Sequence, residues 1–111
     1  MKEIKAIIRP SRLGKVRDAF RVLPGFPGMS ISNVEGCSAN DSNNQRGTLI
    51  EELTDFTKKV RIEIVASDEM TPAILHIIRL HAYTGQIGDG VLWVTDVTEF
   101  VKLCQADQTE L

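Results

Sequence analysis

Cysteine, a basic surplus and long apolar runs are all scarce in this chain of 111 residues. Its two cysteines, Cys37 and Cys104, are far apart and belong to no Cys-x-x-Cys motif, so no disulfide or zinc framework can be read from them. In a reducing compartment they read as two free thiols. Thirteen Lys and Arg stand against fifteen Asp and Glu, a net charge of -2 with a pI near 5.6. That balance argues against a nucleic-acid partner, which calls for a basic face. No stretch approaches the roughly 18 consecutive apolar residues of a membrane helix, so no membrane insertion is expected. The start, Met1-Lys2-Glu3-Ile4-Lys5, runs straight into a strand pattern without a secretory leader, which points to the cytoplasm. No Ser-His-Asp or Cys-His arrangement can be defended, so an enzyme is not expected.

What is present is ordinary for a globular protein: 42% apolar and 25% charged residues. The length suits one domain, 1–111, able to bury a real core. Lys2 to Arg9 alternates and then turns apolar through Ile4, Ala6, Ile7 and Ile8, a strand that Pro10 ends. Ser11 is placed to cap a helix whose stripe is Leu13, Val16, Ala19, Phe20 and Leu23. Pro24-Gly25-Phe26-Pro27-Gly28 stops that helix, and Met29 to Glu35 alternates as a second strand. Lys59 to Val65 is the cleanest strand, with Val60, Ile62 and Ile64 on one side and Arg61 and Glu63 on the other. Ser67 reads as the cap of a second helix, with Asp68, Glu69 and Pro72 in its first turn and Ile74, Leu75, Ile77, Ile78 and His81 facing inward. A strand at Val91–Thr95, with Trp93 assigned to the core, and a strand-like segment at Glu99–Leu103 follow.

The order is β-α-β, long loop, β-α-β, which predicts an α+β, ferredoxin-like βαββαβ sandwich. Its four-stranded antiparallel sheet would carry both helices on one face. The other face would lie open, and other subunits are expected to cover it.

Two segments stand out from this framework. Cys37 to Thr57 is polar and aperiodic, apart from Thr48–Leu53, which reads as a short strand or helical turn. A loop of that length inside a compact domain is usually functional or disordered. Residues 105–111 read as a disordered tail. The other segment is Thr84-Gly85-Gln86-Ile87-Gly88-Asp89-Gly90, three glycines in six residues between a helix and a strand. Successive N–H groups in such a turn can form an anion-binding nest. A helix cap at Gly85 followed by a plain turn is the other reading. No Gly-Lys-Ser/Thr follows, so it is not a P-loop.

These segments together resemble the PII signal-transduction family, regulators of nitrogen and carbon metabolism. Met1 to Pro10 resembles the family's first strand, Gly28-Met29 and Val34-Glu35-Gly36 its second, and Lys59 to Val65 its third. Thr84 to Gly90 resembles its B-loop signature, and 37–58 stands where the family has its mobile T-loop. The resemblance implies a non-catalytic homotrimer that binds adenine nucleotide between neighbouring subunits. The T-loop would block or release a target protein, a transporter or an enzyme.

Carried over residue by residue, it places Ile8, Gly36, Val65, Gly88, Asp89, Gly90 and Lys102 around a nucleotide. It places Asn40 and Lys59 at the family's effector site, where Lys59 would pair with the carboxylate of 2-oxoglutarate and Asn40 replaces a glutamine. The phosphate-facing cations of the family are depleted. Val91, Ala39 and Cys104 stand where it has basic residues, and Lys102 alone keeps a charge. Each charge-assisted bond lost removes about 1.5–3 kcal/mol. AMP or ADP is therefore expected in preference to ATP. Glu52 replaces the tyrosine that accepts a nucleotidyl group, so that modification cannot occur here.

A metal-responsive protein linked to heavy-metal efflux is the alternative, with Cys37, His76, His81 and Cys104 as candidate ligands; thiolate and imidazole together suit copper or zinc. A trimer with a decayed ligand site is a third reading. Glu51, Glu52 and Asp55 read as a solvated acidic stretch.

Overall fold

A computed structural model describes residues 1–37 and 56–105. Ala39, Asn40, Thr48–Leu53, Asp55 and the 106–111 tail, each given a reading above, lie outside the described residues.

Strand β1 spans Lys2–Ile8, helix α1 Leu13–Arg21, β2 Ser30–Gly36, β3 Thr57–Ala66, α2 Thr71–Ala82 and β4 Gly90–Asp96. The sheet order is β2-β3-β1-β4 with every pair antiparallel, the ferredoxin-like α+β arrangement the alternation predicts. Register explains which residues share a face. Ile4 lies between Ile64 and Val94, Ala6 between Ile62 and Leu92, and Ile8 between Val60 and Gly90. The side chains of Ile4, Ala6, Ile8, Val60, Ile62 and Ile64 point to the helices and, with Val16, Phe20, Ile74 and Ile78, make the buried core. Removing each large aliphatic side chain from water contributes about 1.5–3 kcal/mol. Phe26 stacks on Phe20 with ring centroids 4.2 Å apart, which anchors the turn after α1.

The opposite parity falls on the open face: Glu3, Lys5 and Ile7 on β1, Lys59, Arg61, Glu63 and Val65 on β3. Lys5 approaches Glu3 at 3.8 Å and Glu63 at 3.9 Å, and Arg61 approaches Glu63 at 3.6 Å. Among the described residues, Ser32 Oγ and Arg61 Nε are enclosed without a hydrogen-bond partner.

Several local expectations are corrected. Trp93 is not core: its partner in the ladder is Lys5, so it stands on the open face, 40% exposed, while Leu92 turns inward. Glu99–Leu103 forms no strand. Past Val97, whose N–H donates to Met1 O, it has no neighbouring strand among the described residues, and it ends in a 3₁₀ turn at Leu103–Gln105. Without ladder bonds an alternating pattern cannot make a strand by itself. Ser11 does not cap α1 either. Pro10 opens a 3₁₀ turn one step earlier, Arg12 N–H donates to Arg9 O at 3.0 Å, and Ser11 lies inside that turn. Ser67 is not the N-cap of α2 either: that position is Met70, with no side-chain cap, and Ser67 Oγ accepts from Met70 N–H at 3.1 Å in the turn that leads into the helix. Helix α2 itself begins at Thr71, so Asp68 and Glu69 precede it, and Asp68 pairs with the amino terminus at 3.0 Å.

Candidate functional site

Helix α2 ends at Ala82, Tyr83 is extended, and the chain must then reach the edge position of β4 beside β1. The 84–90 loop makes that passage. Gly90 carries its tightest constraint: a Cβ there would sit 1.7 Å from Ile7 O, and its φ is 109°. The backbone of β4 enters the sheet this close to β1 only because residue 90 has no side chain.

Asp89 organises the loop. Its carboxylate accepts Thr84 N–H at 2.7 Å, Gly85 N–H at 2.9 Å and the Thr84 hydroxyl. It also accepts Arg9 Nε at 3.0 Å, from the end of β1. The Thr84 hydroxyl and N–H bonds, joined by those of Arg9 and Gly85, hold the carboxyl well below the usual carboxylate range, so Asp89 is ionised. Arg9 Nη2 donates to Ile87 O at 2.7 Å, and Lys59 Nζ on β3 donates to Gly88 O. Burial, and then the nearby Arg9 charge, push the Lys59 ammonium below its ordinary pKa, against an opposing pull from Asp89. One step behind the loop, Arg12 Nε donates to His81 O at 2.8 Å and ties down the last turn of α2.

Beside this loop opens a cleft of about 650 Å³. Gly36, Cys37, Thr57 and Lys59 form one wall, and Gln86 to Val91 with Ile7 form the other. Its size suits a small molecule, and two cations, Arg9 and Lys59, come within 3.1 and 3.7 Å of a Cβ built on Gly88.

The structure brings Gly36, Lys59, Gly88, Asp89 and Gly90 together in this cleft. Ile8 is not among them. It is 2% exposed and points into a smaller apolar cavity of about 220 Å³ with Ile78, Ala82 and Leu92. Val65 and Lys102 line a third cleft, of about 580 Å³, with Gly28, Met29, Glu63 and Phe100 at the other end of the open face. Asn40 lies outside the described residues. Not every loop amide is free: Asp89 N–H donates to Gln86 O at 3.3 Å. Of the metal candidates, Cys37 borders the cleft, His76 is exposed on α2, His81 is half-buried, and Cys104 is exposed near the carboxyl end. Among the described residues, no group of three or more His, Cys, Asp or Glu is arranged to hold a metal.

Arg9 is the residue of this site that sequence reasoning missed. It sits 80 positions from Asp89, and only the antiparallel pairing of β1 with β4 brings the two together. Its one local signal is a cation between an apolar strand and Pro10.

The family model for the nitrogen regulatory protein P-II matches residues 1–106 of this chain. The chain is similar to nitrogen regulatory protein P-II 1 of Escherichia coli, 34% identical over 110 residues, covering 99% of this chain and 97% of that protein. It is likewise similar to nitrogen regulatory protein P-II of Porphyra purpurea, 37% identical over 103 residues, 93% of this chain and 91% of that protein. The protein of the same name from Rhizobium meliloti is 34% identical over the same shares.

Proposed function

The chain belongs to the nitrogen regulatory protein P-II family, whose members are non-catalytic signal-transduction regulators, and from that premise we propose what it senses and how. It binds an adenine nucleotide, AMP or ADP in preference to ATP, in a cleft completed by a neighbouring copy in a homotrimer. Binding at the base of the 37–58 loop then changes that loop's fit to a target protein. Such an order–disorder switch draws its energy from the ligand's differential affinity for the two loop states.

One observation carries this reading: the expected nucleotide residues described, apart from Ile8, are divided between two open clefts. Lys59 and Val65 are six residues apart on β3, about 20 Å at the rise of a strand. The phosphate-facing loop and the Val65–Lys102 cleft therefore occupy opposite ends of one sheet face. A neighbouring copy that sets its Val65–Lys102 end against this copy's loop joins the halves. The preference for fewer phosphates follows from charge. Val91 brings none to the cleft, and the charge of Arg9 is balanced by Asp89. Among the described residues lining this cleft, Lys59 is left as a cation for a phosphate, and the neighbour's Val65–Lys102 end would add Lys102.

Isothermal titration of the assembled protein with AMP, ADP and ATP, with and without magnesium and 2-oxoglutarate, tests the proposal. Micromolar binding of AMP or ADP, with ATP no tighter, is expected. Lys59→Ala should weaken ADP several-fold, short of the roughly tenfold that the whole of one charge-assisted bond of about 1.5 kcal/mol would give, because Lys59 must release Gly88 O to reach a phosphate. Silence toward all three nucleotides refutes the proposal. A Gly90 substitution is unsuitable as a control, because the Ile7 carbonyl makes it a test of folding.

A further inference from the structure

We infer that Asp89 is a positioning residue of the effector cleft, its carboxylate serving as the loop's own anion around which Thr84–Gly90 and Arg9 are arranged. The inference rests on the reading that this cleft takes an anionic ligand. A carboxylate offers about four acceptor positions. Here four donors reach it: Thr84 N–H, the Thr84 hydroxyl, Gly85 N–H and Arg9 Nε. Its acceptor capacity is thus filled from within the protein, and its charge would repel a phosphate. The amides at the start of the glycine loop, Thr84 and Gly85, are accordingly occupied by the protein's own carboxylate.

Arg9 extends the arrangement. Held at Nε by Asp89, it donates through Nη2 to Ile87 O at 2.7 Å. Both ends of the segment Ile87-Gly88-Asp89 are thereby fixed to β1, and Lys59 holds Gly88 between them. Removing the carboxylate would free four donors and leave Arg9 attached by one bond. It would also remove a negative charge from the cleft, and that by itself would favour an anion. The two effects oppose each other. The charge acts in a partly exposed cleft, where solvent and salt screen it. The four short bonds act at contact distance, so geometry outweighs charge.

The experiment uses the full-length assembled protein as wild type, Asp89→Ala and Asp89→Asn. Amide hydrogen exchange is followed at Thr84 and Gly85, and ADP binding is titrated at low and moderate salt. Asp89→Ala should exchange at both amides at least tenfold faster and bind ADP at least tenfold more weakly at either salt. Asp89→Asn, which keeps one acceptor oxygen, should fall between. Unchanged exchange in Asp89→Ala overturns the inference, as does tighter ADP binding, which would make Asp89 a repelling charge only. Should Asp89→Ala fail to assemble, Thr84→Val removes the hydroxyl, both the bond it donates to Asp89 and the one it accepts from Gln86 N–H, and should still speed exchange at Gly85; no change there is equally fatal. A wild type that binds no ADP refutes the nucleotide reading, and the exchange comparison then decides the role of Asp89 without it.

Discussion

Gly90→Ala separates backbone strain from steric conflict at the entry of β4. In the native chain φ at Gly90 is 109°, and a Cβ would lie 1.7 Å from Ile7 O and 2.8 Å from Ile7 C. The first contribution is the unfavourable dihedral, about 1–3 kcal/mol for a non-glycine residue. The second is displacement of the β1 backbone, which must retreat by more than an ångström. Overpacking of that kind costs about 1–3 kcal/mol more. The sum, about 4 kcal/mol, is a large part of the 5–15 kcal/mol that holds a typical domain together. Gly28→Ala supplies the reference. Its φ is also 109°, but nothing lies within 4 Å of its Cβ position, so strain alone operates there. Urea denaturation at fixed protomer concentration reads the difference, because the proposed assembly would make stability concentration-dependent. With a slope of about 2 kcal/mol per molar urea, Gly90→Ala should lower the midpoint by about 2 M and Gly28→Ala by half of that or less. A Gly90→Ala midpoint no lower than that of Gly28→Ala would refute the close approach of β4 to β1.

Acid should weaken the protein in a defined window. Asp89, through the Thr84 bonds first, and Asp96, through Lys2, both have carboxyl pKa values lowered by folding. Over the range between those lowered values and the ordinary carboxylate value near 4, the unfolded chain binds more protons. Their contribution to stability is thus present above about pH 4 and lost as pH falls below it; melting temperature against pH should show this decline, shallower in Asp89→Asn. Ile62→Ala, at a fully buried position in the middle of β3, should cost about 2–5 kcal/mol in chemical denaturation. Trp93, the only tryptophan, is 40% exposed on the open face of a single copy. If neighbouring copies cover that face, acrylamide should quench the assembled protein far less than a dissociated one, and equal quenching would count against coverage.

Legibility in the sequence followed the strength of the periodic signal. Strand β3 was legible because Val60, Ile62 and Ile64 alternate without interruption, and the parity that buries them also places Arg61 and Glu63 on the open face. Helix α2 was legible from Ile74 and Ile78, four apart. Strand β4 shows where the signal fails. Val91-Leu92-Trp93-Val94 is apolar throughout, so nothing local indicates that Leu92 points inward and Trp93 outward; pairing with Lys5 and Ala6 decides it. Glu99–Leu103 has a strand's composition and, among the described residues, no strand beside it. The glycine loop was found from its spacing, but its chemistry was not. The donors gathered on Asp89 include one from β1, and no window of sequence contains both residues.

The resemblance along the sequence implies a cleft poor in cations, with Val91 and Cys104 where the family is expected to carry basic residues. In three dimensions two cations arrive from other strands, Arg9 and Lys59, and each is already engaged with the loop. That engagement limits what either contributes to a ligand. For Lys59 to grip a phosphate it must leave Gly88 O, so the net gain is the difference between two charge-assisted bonds and not the whole of one. Its ammonium is also partly desolvated and lies near Arg9, which lowers the cost of exchanging a neutral carbonyl for an anion. A cation prepared in this way favours an anionic ligand over solvent while keeping the loop ordered without one. On the proposed reading, ligand affinity at this cleft is tied to the conformation of residues 87–90, the segment through which β4 enters the sheet.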